Sequence, residues 1–145
     1  MKKNRLTSLF LALVFMAVLS CGTLRHTPVQ SADATLADSL WTYSLTHPES
    51  FTLHLATWIE PQEGIVVAYE ATQHSHDRKG LDIVISHAQS HQGYVGGWLD
   101  LTDSLYYFDS VRVFPEDSLS AAINFGKKNH QLAIFKLSTD EEIPF

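Results

Sequence analysis

From Phe51 onward the hydrophobic pattern changes period again and again, and this alternation constrains the fold more than any other feature. Phe51, Leu53 and Leu55 alternate with polar residues. That is the mark of a half-buried strand, whose successive side chains point to opposite faces. A Pro61-Gln62-Glu63-Gly64 turn leads into the apolar run Ile65-Val66-Val67-Ala68-Tyr69, so the two runs are predicted to pair as a hairpin. Over residues 77–92 the period lengthens. Leu81, Val84, Ile85 and Ala88 fall at i, i+3, i+4 and i+7, one stripe of a helix, and Gly93 is placed to cap it. The same succession then repeats. Residues 94–99 and 105–114 are aromatic-rich and β-branched, and with residues 100–104 between them they predict a second hairpin. Pro115 stops that strand. Residues 116–129 follow as a helix with Leu119, Ala122, Ile123 and Gly126 on one face. Its acidic residues lie in the first turn and Lys127 and Lys128 in the last, the signs that the helix dipole favours. Residues 131–137 read as a closing strand, and residues 142–145 as a short edge.

Ahead of this lies one more helical stretch, residues 33–46, with Leu36, Leu40 and Tyr43 in phase, Ser31 or Asp33 to cap it and Pro48 to close it. The order is therefore a leading helix, then ββα-ββα-β. It predicts an α+β fold with an antiparallel-type sheet and helices packed on one face. With 145 residues in all and its five prolines and seven glycines scattered, the chain has no linker, and residues 33–145 are predicted as a single domain. A composition 45% hydrophobic and 18% charged is too apolar for a disordered tail. One cysteine excludes both an intramolecular disulfide framework and a cysteine-based zinc cluster.

That cysteine, Cys21, lies beside the other strong signal. Residues 1–5 (MKKNR) are basic, and residues 9–19 (LFLALVFMAVL) are apolar. Eleven helical residues span only ~16 Å, about half a bilayer core, which suits a signal segment and not a stable anchor. Val18-Leu19-Ser20-Cys21-Gly22 then resembles the lipobox of bacterial lipoproteins, with Leu19 departing from the small or β-branched residue usual at its place. The resemblance implies cleavage by signal peptidase II before Cys21, and lipidation of Cys21 by diacylglycerol and an acyl chain of the palmitate kind. Residues 1–20 are then the signal peptide and residues 21–32 the lipidated cysteine and its tether. At ~0.8 kcal/mol per buried CH2, several chains anchor stably where one does not. Gly22 in place of Asp implies, by the lipoprotein sorting pattern, the outer membrane of the cell envelope. Cleavage removes Lys2, Lys3 and Arg5 and leaves seven basic residues against sixteen acidic ones, a net charge of −9. Such a chain repels phosphate backbones, so nucleic acid is excluded as a partner.

Candidate chemistry falls into three groups. The first is histidine: of eight, four stand as His74-x-His76 and His87-x3-His91, the latter pair one helical turn apart as zinc ligation needs. About 20 Å of helix separates the two pairs unless the chain folds back. No cofactor is expected, zinc at these four histidines being the exception. The second is the polar loop Glu70-Ala71-Thr72-Gln73-His74-Ser75 after a strongly apolar strand. Glu70, His74 and His76, joined by His87 or Asp109, have the residue types of a small hydrolase or transferase, provided that they converge. The plainer reading is a helix N-cap formed by Ser75 or Asp77. The third is Gly96-Gly97-Trp98 followed by Tyr106, Tyr107 and Phe108. Two glycines inside a strand suggest a bulge or a close approach by another group. Trp98 and Tyr107, with Asp109 and Arg112, can make a recognition face, since aromatics bury much area at little entropy cost.

The stretch from Gly64 to Leu137, with AYEATQ, GYVGGW, YYFDSVRVF and FGKKNHQLAIF, is also similar to a domain of short uncharacterised bacterial proteins. The similarity covers about half the chain, implies one α+β domain, and brings no activity with it. The leading expectation is thus an envelope-anchored, non-enzymatic binding domain whose partner is a protein or small ligand. The alternatives are the small hydrolase or transferase and a metal-binding lipoprotein.

Overall fold

The computed structural model describes residues 32–145, and the signal segment, Cys21 and the tether up to residue 31 lie outside them. The changes of period resolve into helices α1 (Ala32–Thr46), α2 (Arg78–Gln89) and α3 (Leu119–Lys128) and six strands. The strands are β1 (Ser50–His54), β2 (Ile65–Ala68), β3 (Tyr94–Asp100), β4 (Leu105–Phe114), β5 (Ala133–Lys136) and β6 (Glu141–Pro144). They form one sheet in the order β1-β3-β4-β2-β5-β6, antiparallel at every pairing. The fold is α+β with a leading helix.

The predicted second hairpin is present: β3 and β4 pair from Tyr94 opposite Val111 to Asp100 opposite Leu105. The predicted first hairpin is not. β1 lies at the sheet edge against β3, whereas β2 lies between β4 and β5. Ten residues, 55–64, separate the two strands, twice the usual reach of a hairpin loop. This connection carries the chain from the edge of the sheet to its middle. The bulge expected at Gly96-Gly97 is also absent, because both residues keep regular register with β1 and β4. What they admit is side chains. A Cβ on Gly97 would run into the Phe51 ring and lie 2.9 Å from Tyr106 Cε1, and one on Gly96 would lie 3.1 Å from Val111 Cγ1.

Register also decides which face is core. Phe51, Leu53, Val95, Phe108, Ile65, Val67, Phe114 and Ile134 share one side of the sheet, and all three helices pack on that side. The core there has two parts. In the larger, Leu81, Val84, Ile85 and Ala88 of α2, with Ala37 and Leu40 of α1, cover β1, β3 and the first half of β4. In the smaller, Ala122 of α3 covers Ile65, Val67, Phe114 and Ile134. Each fully buried aliphatic side chain contributes about 1.5–3 kcal/mol relative to exposure, so the helix layer is what fixes the sheet's orientation. Asp77 caps α2, accepting from Gly80 N–H at 2.7 Å, and Gly93 (φ +78°) ends its turn by donating to the Ala88 carbonyl at 2.8 Å. Among the described residues no helix is long and apolar enough to cross a membrane.

Candidate functional site

The other side of the sheet is left without a helix among the described residues. Strand alternation puts Tyr94, Gly96, Trp98 and Asp100 of β3 there, beside Tyr107, Asp109, Val111 and Val113 of β4. Trp98 stands directly opposite Tyr107, and their rings stack at 5.3 Å between centroids. The Trp98 indole N–H donates to Asp109 Oδ2 at 3.2 Å. Tyr107 is fixed at both ends, its hydroxyl donating to Asp103 Oδ2 at 2.7 Å and its ring edge-on to His76 at 5.7 Å. Asp103 belongs to a turn built by its own carboxylates. Asp100 Oδ1 accepts from the N–H and hydroxyl of Thr102, and Asp103 Oδ1 accepts from Leu105 N–H.

Asp109 is the titratable centre of this patch. Burial between strands raises its carboxyl from 3.8 to about 6, against the opposing pull of the Trp98 N–H and the nearby His74. His74 itself takes a left-handed backbone conformation (φ +65°), uncommon for a residue with a Cβ, in the loop that brings it to this face. Trp98 remains 43% exposed. Val66 and Val111, also on this side, are buried at 9% and 4% exposure while belonging to neither core part. Beside Tyr94, whose ring lies against His54 at 4.8 Å, the face opens into a groove of about 620 Å³ with Gln92 and Val113 in its walls and Glu63, Glu116 and Asp117 around it.

The sequence-derived recognition residues therefore divide. Gly96, Trp98, Tyr107 and Asp109 share the uncovered side. Gly97 and Arg112 are on the helix side, opposite Phe108 and Val67 respectively. Arg112 lies against the smaller core part, its guanidinium 4.5 Å from the Phe114 ring centroid and 5.3 Å from that of Phe125.

The other candidates divide as well. Glu70 turns toward the end of α3, where it pairs with His130 Nδ1 at 2.8 Å and its backbone N–H donates to Asn129 Oδ1. His74 and His76 remain at Asp109 and Tyr107, so Glu70, His74 and His76 do not form one constellation. His87 and His91 stack on each other at 4.0 Å on the helix side, both against Tyr69. His91 Nδ1 is taken by the His87 carbonyl at 2.7 Å, and burial lowers the His87 pKa, with His91 adding to it. The four histidines are thus two pairs in different surroundings. Among the described residues no group of three or more His, Cys, Asp or Glu side chains is placed to hold a metal ion.

Sequence reasoning missed one polar cluster. Tyr43 donates to Glu60 Oε1 at 2.6 Å, its ring stacks on His47 at 3.8 Å, and Tyr106 donates to the His47 carbonyl at 2.8 Å. Burial and Glu60 raise the Tyr43 hydroxyl to about 12. These bonds tie the end of α1 to the 55–64 connection and to β4, a bracing role. No periodicity could have shown it, because its members come from three separate segments. No protein-family model, curated protein or solved structure matches the chain, so the similarity read from its motifs rests on those residues alone.

Proposed function

We propose that this chain is a non-enzymatic binding domain, held at the bacterial cell envelope by a lipid on Cys21, whose recognition surface is the uncovered side of its sheet. The observation that carries the reading is the Trp98–Tyr107–Asp109 arrangement: a stacked aromatic pair, partly exposed and locked by hydrogen bonds, around a largely buried carboxylate. Side chains already ordered before binding lose little entropy when a partner arrives, which is what makes aromatic anchors effective. Anchorage rests on the lipobox residues and on Gly22, and it places the domain at the outer membrane.

A small hydrolase or transferase is the second reading, and one observation favours it. A carboxyl with a pKa near neutrality, beside a histidine, has the properties of a general acid or base. Against it, Glu70, the third group required, is engaged by His130 and Asn129 elsewhere.

Two experiments test the leading reading. Capture of envelope components on the detergent-solubilised full chain should fall at least tenfold in Trp98→Ala and remain in Lys127→Glu/Lys128→Glu on the helix side. Retention by Trp98→Ala would remove the surface from consideration. Metabolic labelling with palmitate should mark the wild type and leave Cys21→Ser unlabelled and released from the membrane fraction. Equal labelling of both would end the lipid-anchor reading.

A further inference from the structure

The two sides of the molecule differ in charge as well as in cover. Among the described residues Lys and Arg occur six times, and none occupies the uncovered side of the sheet. Arg78 and Lys79 are on α2, where Arg78 pairs with Asp38, and Lys127 and Lys128 are on α3. Arg112 and Lys136 stand opposite Val67 and Ile65 on the helix side of their strands. The uncovered side carries Asp100, Asp109 and Glu142, with Asp103 at its tip, and Glu63 and Asp117 at the groove beside Tyr94. Lys136, on the helix side of β5, acts on Glu116 at that groove. Among the described residues, His54, His74 and His76 are the groups on the uncovered side able to carry positive charge.

We infer that the uncovered side of the sheet docks a cationic, arginine-bearing segment of a partner protein, the guanidinium seated against the exposed Trp98 ring and the neighbouring carboxylates. The inference rests on the reading of this side as the recognition surface and names the chemistry of its occupant. Complementary charge selects the sign of the partner. Aromatic rings interleaved with carboxylates select a cation with a flat face, since a guanidinium stacks on indole while its edge donates to carboxylate oxygens. An anionic partner would meet at least five carboxylates and, among the described residues, no Lys or Arg on the same side of the sheet.

The test uses the detergent-solubilised full chain with hexa-arginine, hexalysine and hexaglutamate peptides as probes at low salt. Binding is read by calorimetry and by the fluorescence of Trp98 against a Trp98→Phe reference. Hexa-arginine should bind more tightly than hexalysine, and hexaglutamate should not bind. Asp100→Asn/Asp109→Asn should weaken hexa-arginine about tenfold or more, and added salt should weaken it similarly, because exposed charges are screened within ~3 Å at 1 M. Both substitutions are isosteric, and the amide oxygen introduced by Asp109→Asn can still accept from the Trp98 N–H, so loss of binding is not loss of the fold. Hexa-arginine binding that survives this double substitution and Trp98→Ala would place the site elsewhere and overturn the inference. Absence of hexa-arginine binding, while Trp98→Ala still abolishes capture of an envelope partner, would overturn the cationic inference and leave the surface itself standing. Preference for hexaglutamate would overturn it outright.

Discussion

At the scale of one residue, Asp109 is a carboxylate whose burial weighs against its ionised form. An acid whose folded pKa is raised binds its proton more tightly when folded than when unfolded. Its favourable contribution is therefore present below the unfolded value of 3.8 and is lost as pH rises through the folded value of about 6. At ~1.4 kcal/mol per pKa unit, the ionised carboxylate costs about 2 kcal/mol at neutral pH once partial exposure is allowed for. Asp109→Asn is accordingly expected to match the wild type in urea unfolding near pH 4 and to be about 1–2 kcal/mol more stable near pH 7.5. A variant less stable than wild type at the higher pH would show that the carboxylate is well compensated where it stands. A residue that costs stability and leaves the fold intact without it is a candidate for function. That physical mark cannot be read from sequence, where Asp109 is one of sixteen acidic residues.

At the scale of elements, sequence reading went furthest where one period persisted. The stripe Leu81, Val84, Ile85 and Ala88 is buried as a unit on α2, and the residues of the β3–β4 hairpin pair as predicted. It failed at the first hairpin, where the alternation of Phe51, Leu53 and Leu55 defines a strand but not its partner. The partner is chosen by fit. Phe51 needs the space that Gly97 leaves directly opposite it, and Ile65 has Phe114 opposite. The same fit explains the glycine pair, which accommodates a ring on one side and Val111 on the other. Gly97→Ala would press a methyl group into the Phe51 and Tyr106 rings, and it is expected to cost about 1–3 kcal/mol by overpacking. Gly97→Ala within about 0.5 kcal/mol of wild type in denaturant titration would mean that the rings shift freely.

For the whole molecule, the consequential feature is that, among the described residues, one sheet has a helix layer on one side only, with all the described Lys and Arg residues on that same side. Composition revealed the net negative charge, and the period-two pattern implied that half of each strand faces away from the core. Which carboxylates share that half depends on register, and register joins residues far apart in sequence. Arg112 illustrates the limit. Three residues after Asp109, it reads as a neighbour on one surface, yet strand alternation turns it to the helix side. The histidine pairs illustrate it again, because His74 and His76 end beside Asp109 and Tyr107 while His87 and His91 pack on Tyr69.

The central claim, that recognition occurs on the uncovered side of the sheet, is tested most directly by site-specific photo-crosslinking in the intact envelope. A photoreactive residue is placed in turn at Thr52 and Val113 on that side, and at Ile83 and Asn124 on the helix side. Adducts to a partner from Thr52 and Val113, lost when Trp98→Ala is added, are the expected result. Adducts from Ile83 or Asn124 alone would contradict it.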